Sequence, residues 1–183
     1  GVNIEKFIIP LTKPEARAKL NLPASAFMVV YTGHLYAWKG ADDLARAGLR
    51  LPSDIHVYLV GGTENDVARF RHQYQVENLH IIGHRPQSEM PVWLKAADVL
   101  LLPNTAKEDI SKYFTSPMKL FEYAASGRTI VASDLPSIRE VLDEKNSILV
   151  EPDNGQALAD GIKQVLNNEK SSQDLAFTAY EKI

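Results

Sequence analysis

The stretch DVLLLP (98–103) constrains this chain more than any other. Val99-Leu100-Leu101-Leu102 is aliphatic at every position, with no polar alternation. A strand that faces water on one side alternates; a strand covered on both faces does not. Similar short runs recur at FMVVYTG (27–33), IHVYLVGG (55–62), LHIIGH (79–84), TIVAS (129–133) and SILVEP (147–152). Helical patterns separate them: GADDLARAGLRL (40–51), ENDVARFRHQYQVE (64–77), SEMPVWLKAA (88–97), SPMKLFEYAASG (116–127), LPSIREVLDE (135–144) and NGQALADGIKQVLNNE (154–169). A last helix is expected across 171–183. Strands alternating with helices over short connections build βαβ units. The expected fold is therefore α/β, a doubly wound parallel sheet of six strands with helices on both faces. Ligands on such sheets sit beyond the carboxyl ends of the strands, near the switch point of strand order. The residues to watch are those that follow strands: Gly33-His34, Gly61-Gly62, Gly83-His84-Arg85, Pro103 onward and Ser133-Asp134.

Composition removes several function classes. The 183 residues suffice for one domain with a substantial core. A net charge of −3 with dispersed Lys and Arg argues against a nucleic-acid partner, which leaves a basic patch or stripe. No apolar run reaches the ~20 residues of a membrane span. The start, GVNIEKFIIP, lacks the basic region and long apolar stretch of a signal peptide. Cysteine is absent, which excludes disulfides and thiolate chemistry and fits a reducing, cytoplasmic setting.

The segment FTSPMKLFEYAASG (114–127) is the first candidate site. Ser116 suits an N-cap and Pro117 a first helical position, so free N–H groups would face an anion at the strand ends. The loop before it brings Lys107 and Lys112 nearby. On a helical wheel Met118, Phe121 and Ala125 form the buried stripe, with Leu120 and Ala124 on its far flank and Glu122 at its near edge. Glu122 stands about 9 Å along the axis from the cap. That spacing suits a carboxylate gripping the ribose diol of a nucleotide whose diphosphate meets the helix start. An i,i+3 surface pair with Lys119 accounts for Glu122 equally well.

TGHLYAWKGADDL (32–44) is the second candidate. Gly33 admits close approach of a ligand. Lys39, beside a helix start, opposes the helix dipole unless an anion is present. A diphosphate clamp and a solvated loop lysine both fit. The order Trp-Lys-Gly-Ala is not a Walker A loop, and GxGxxG is absent. In GHRPQ (83–87), backbone and side-chain groups of His84 and Arg85 suit contact with a nucleobase, and an ordinary loop with helix-start chemistry fits these residues equally well. His56, His72 and His80 fall inside elements and read as structural, and Trp93 reads as a packing residue. Neither HExxH nor Asp-x-Asp occurs, so a metal-bridged diphosphate has no obvious ligands. No metal and no cofactor is expected.

Taken in order, GVNIEKF, YTGHLYAWKGADDL, LVGGTEND, IIGHRPQSEMPVWLKAADVLLLP and TSPMKLFEYAASGRTIVASDLPSIREVL resemble glycosyltransferase family 4 (group 1) over essentially the whole chain. The resemblance implies the C-terminal, nucleotide-sugar-binding half of a GT-B fold, with a Rossmann-like sheet. Residues 1–10 would be an interdomain linker, 11–170 the donor-binding domain and 171–183 a C-terminal helix cut short, the N-terminal acceptor domain being absent. The implied activity is that of a retaining, metal-independent glycosyltransferase transferring a hexose from a nucleotide-sugar donor to a carbohydrate or lipid-linked acceptor. The full-length enzyme would be cytoplasmic or peripheral to a membrane, and this half alone inactive. The resemblance assigns Glu122 to the donor ribose and Lys39 to the diphosphate, as the catalytic pair. It places Met118 and Lys119 where backbone N–H groups meet the phosphates and His84 and Arg85 at the base; Gly33, His34, Thr115, Ser116 and Pro117 complete the expected nucleotide-sugar-binding set. Two positions depart from the family. Phe114 stands where a sugar-facing glutamate is usual, and His34 where many members have arginine. A GT-B nucleotide-sugar epimerase and a non-catalytic nucleotide-binding module are the alternatives.

Overall fold

A computed structural model describes residues 3–113 and 118–183, Trp38 by its backbone alone. Six strands form one sheet: β1 (Phe27–Thr32), β2 (Ile55–Val60), β3 (Leu79–Gly83), β4 (Val99–Leu102), β5 (Thr129–Ser133) and β6 (Ile148–Val150). Their order is β3-β2-β1-β4-β5-β6, and every pairing is parallel. The chain winds outward from β1 to one edge, then returns to lay β4 against β1 and winds to the other. The switch point is the β1/β4 seam, where Val29 faces Val99 and Val30 faces Leu100.

Side chains leave a strand alternately to its two faces, so each strand feeds two cores. Met28, Val30, Leu100, Leu102 and Ile130 pack beneath α1 (Lys13–Lys19), α4 (Met90–Ala96), α6 (Met118–Ala125) and α9 (Glu169–Glu181). Val29, Tyr31, Val99, Leu101 and Val131 pack beneath α2 (Ala41–Gly48), α3 (Glu64–Gln73) and α8 (Gly155–Asn167). All four residues of β4 are buried, as its unbroken aliphatic run requires. Each such side chain contributes on the order of 1.5–3 kcal/mol relative to exposure.

Helix α1 departs from the sequence reading, which has no helix before β1. Thr12 and Glu15 close a reciprocal capping box there, with a proline at the start of the helix. Arg17 on α1 is 2% exposed; it donates to the carbonyls of Ala24, Ala26 and Ala96 and to Asp98 at 2.7 Å. Asp98 in turn accepts from the Met28 amide, so this ion pair ties α1 to the starts of β1 and β4. Several helices are shorter than expected, α2 among them, which ends at Gly48 rather than 51. α3 stops at Gln73 because Tyr74 adopts extended backbone and its hydroxyl donates to Asp42 at 2.7 Å. The helix expected over 135–144 is α7 (Pro136–Arg139). Past it, the Asn146 side chain accepts from the Asp143 amide and the Asp143 side chain from the Lys145 amide, side-chain bonds that compete with helix. A short helix α5 (Asp109–Tyr113) follows β4, also unanticipated.

Candidate functional site

Lys39 is placed by the residue after it. It ends a 3-10 turn (Ala37–Lys39), and Gly40 then takes a left-handed φ of 73° to start α2. A β-carbon on Gly40 would lie 1.6 Å from the carbonyl oxygen of Pro103, so only glycine lets this turn rest on the backbone that leaves β4. Lys39 therefore stands at the β1/β4 switch point.

Glu122 is placed by Tyr123. Tyr123 is fully buried, and its hydroxyl accepts from the Thr32 amide at 3.0 Å and lies 3.3 Å from Thr32 Oγ1. Helix α6 is thus fastened to the last residue of β1. Burial pushes the Tyr123 phenol up to about 12, with nearby Glu122 adding to the rise. The expected buried stripe is corrected here. Leu120, Tyr123, Ala124 and Ala125 face the core, while Met118 is 50% exposed. The Tyr123 anchor sets the rotation of the helix and leaves Met118 outward. The same rotation buries Glu122, which is 6% exposed and accepts from Lys119 Nζ at 3.0 Å. The i,i+3 pair with Lys119 exists, but at a buried carboxylate rather than on the surface.

A cleft of about 820 Å³ opens over the ends of β1, β2 and β3, walled by Gly33, His34, Gly61, His84, Arg85 and Lys119 among others. Its floor needs glycine: a β-carbon on Gly61 would lie 2.1 Å from the Gly33 carbonyl oxygen. A smaller cavity of about 90 Å³ adjoins it at the switch point, with Gly33, Lys39, Asn104, Lys119 and Ser137 in its wall. Gly33, His34 and Lys119 border both. Burial first, and the neighbouring Lys119 ammonium second, hold Lys39 below the ordinary lysine value. The His34 ring stacks on Tyr36, with centroids 4.8 Å apart and planes 8° from parallel. The Tyr31 hydroxyl donates to the His34 carbonyl at 2.5 Å and holds the loop after β1.

The structure thus gathers Gly33, His34, Lys39, His84, Arg85 and Lys119 around adjoining cavities, with Glu122 joined to them through Lys119. Met118 opens α6 with its side chain outward. Thr115, Ser116 and Pro117, and the departure at Phe114, lie outside the described residues. Lys107 pairs with Asp153 at 3.9 Å and Lys112 lies over the Tyr113 ring at 5.0 Å; neither walls these cavities. Three residues escaped the sequence reading. Tyr31 and Tyr123 look like ordinary core aromatics in sequence, and only the fold gives their hydroxyls partners. Asn104, directly after the proline that closes DVLLLP, is 3% exposed, and among the described residues its amide nitrogen has no hydrogen-bond partner. Among the described residues, no group of three or more His, Asp and Glu side chains could hold a metal ion, and no helix is long and apolar enough to cross a membrane.

A six-stranded parallel sheet in this order, with its cleft over the strand ends, is the architecture of GT-B glycosyltransferase C-terminal domains. The fold superposes on Anabaena Alr3699/HepE, solved in complex with UDP and glucose, with a TM-score of 0.84 at 21% identity, over 99% of this chain and 50% of that one. It also matches the C-terminal domain of LpcC, a glycosyl transferase group 1 family protein of Francisella tularensis. There the TM-score is 0.78 at 19% identity, over 100% of this chain and 96% of that one. Residues 26–168 match the family model described as Glycosyl transferases group 1, and the chain belongs to that family. Among curated relatives, the D-inositol 3-phosphate glycosyltransferase of Xylanimonas cellulosilytica is 25% identical over 96% of this chain and 44% of its own length. The phosphatidyl-myo-inositol mannosyltransferase of Mycobacterium tuberculosis is 31% identical over 70% of this chain and 33% of its own. The chain spans less than half the length of these relatives.

Proposed function

We propose that this chain is the donor half of a retaining glycosyltransferase, binding a nucleoside-diphosphate sugar for hexosyl transfer to a carbohydrate or lipid-linked acceptor held by a separate N-terminal domain. One observation carries the reading. Lys39 and Lys119, from two different chain segments, converge with Gly33 at the switch point of the sheet, and Glu122 pairs with Lys119. Two ammonium groups against one buried carboxylate suit an anion attached to a diol. The 820 Å³ cleft beside them falls within the roughly 300–1,000 Å³ of small-molecule sites.

In this reading Glu122 accepts hydrogen bonds from the donor ribose, and His84 and Arg85 border the space for the base. As the glycosidic carbon–oxygen bond breaks, its electron pair stays with the departing diphosphate. The Lys39 ammonium offsets that growing charge in a partly dry site, the kind of contribution that strengthens toward the transition state. We assign this role to side chains and backbone donors, with no metal. Groups acting on the acceptor belong to the other domain, so this chain alone binds donor without turnover.

Nucleotide binding to Glu122→Ala tests the assignment. The expected loss is roughly 1–3 kcal/mol, the scale of hydrogen bonds to a charged group. An unchanged affinity returns Glu122 to a purely structural pairing with Lys119. For the full-length enzyme, NMR of the product distinguishes the outcomes: transfer with retained anomeric configuration supports the reading, and an epimerised nucleotide sugar formed without acceptor replaces it.

A further inference from the structure

The family resemblance gives position 119 a role through its backbone. Building on the donor-binding reading, we propose that the Lys119 side chain is the second cation of the diphosphate site, bridging Glu122 and the phosphate attached to the ribose.

Geometry comes first. Lys119 Nζ lies 3.0 Å from Glu122 Oε2, and the two side chains are 30% and 7% exposed. An ammonium has three donors and a carboxylate about four acceptor sites, so this contact leaves capacity on both partners. Glu122 can keep Lys119 while accepting from a diol, and Lys119 can keep Glu122 while donating to a phosphate. A phosphate on the ribose is joined covalently to the sugar that Glu122 holds, which brings it within reach of the same lysine. The stem of Lys119 runs past the glycine at the end of β1: a β-carbon on Gly33 would sit 3.9 Å from Lys119 Cε. Lys119 also walls both the large cleft and the switch-point cavity that contains Lys39.

Charge comes second. Position 34, where many family members carry arginine, holds a histidine whose ring is stacked on Tyr36. The bridge restores a fixed positive group beside Lys39. The two ammonium groups are close enough for Lys119 to disfavour the charged form of Lys39. An anion between them relieves that repulsion.

The test is a calorimetric and NMR titration of this chain with nucleoside, monophosphate and diphosphate in the uridine, guanosine and adenosine series. For whichever base the wild type binds, affinity should rise with each phosphate. Lys119→Met should weaken the mono- and diphosphate about 10- to 100-fold more than it weakens the nucleoside. Lys119→Arg should recover most of the loss, and circular dichroism should show both variants folded. Equal loss for nucleoside and diphosphate would mean that Lys119 only orients Glu122, and would overturn the bridge. So would no loss at all. Failure of the wild type to bind any of these ligands overturns the donor reading itself, a result distinct from either.

Discussion

The Tyr123 hydroxyl accepts a hydrogen bond from the Thr32 amide at 3.0 Å, joining two residues 91 positions apart. Through it, the helix bearing Lys119 and Glu122 is fastened to the strand that ends at Gly33. Both partners are buried, so Tyr123→Phe leaves the Thr32 amide unsatisfied. The expected cost is about 1–3 kcal/mol in urea denaturation. Nucleotide affinity should fall too, whereas Ile162→Val, buried on distant α8, should lower stability and leave affinity unchanged.

Gly40→Ala should be far more damaging than an ordinary helix-start substitution. The added methyl would lie 1.6 Å from the Pro103 carbonyl oxygen, against backbone that has no room to yield. Either the turn carrying Lys39 moves or β4 does. A loss of several kcal/mol, or failure to fold, is expected in thermal melts; a near-neutral result contradicts the placement of Lys39 at the switch point.

Nucleotide binding should depend on pH through Lys39. Burial and Lys119 lower its pKa, and a bound diphosphate favours the charged ammonium. Binding therefore takes up a proton once pH reaches the lowered value. Affinity falls as pH rises through it, sooner than for an ordinary lysine titrating near 10.4. Calorimetry over a pH series below about 10.4, in two buffers of different ionisation heat, reads the uptake directly. Lys39→Arg, whose guanidinium stays charged, should abolish it.

The outer edge of the sheet should be acid-sensitive. His56 Nδ1 and His80 Nε2 are 2.8 Å apart across β2 and β3, so one nitrogen donates and the other must accept. Burial, then His56, lowers the His80 pKa. The unfolded chain therefore binds protons more readily. The stabilisation is present above the unfolded value near 6.5 and is lost as pH falls through the folded one. Urea midpoints should drop between about pH 7.5 and pH 5, and His80→Gln should flatten that drop.

Much of the fold was legible because β4 and its neighbours are short and apolar in a pattern only a doubly covered sheet satisfies. β5 falls at its expected bounds, Thr129–Ser133. What escaped depended on single long-range contacts. Helix α1 had a local signal, the Thr12–Glu15 capping box, but its amphipathic face is dominated by a buried arginine that periodicity counts as polar. Tyr74 leaves α3 for a bond to Asp42, and Tyr123 sets the rotation of α6 through Thr32. Neither partner is near in sequence. The site followed the same division. Lys39 and Glu122 stood out by spacing and by family resemblance, whereas the side-chain contact of Lys119 with a buried Glu122 needed the helix rotation that Tyr123 imposes.

The most direct measurement is calorimetric titration of this chain with UDP, GDP and ADP. At least one should give saturable heat, weakened by Lys39→Met and by Glu122→Ala alike. Absence of heat with all three at millimolar concentration would contradict the nucleotide site at the β1/β4 seam.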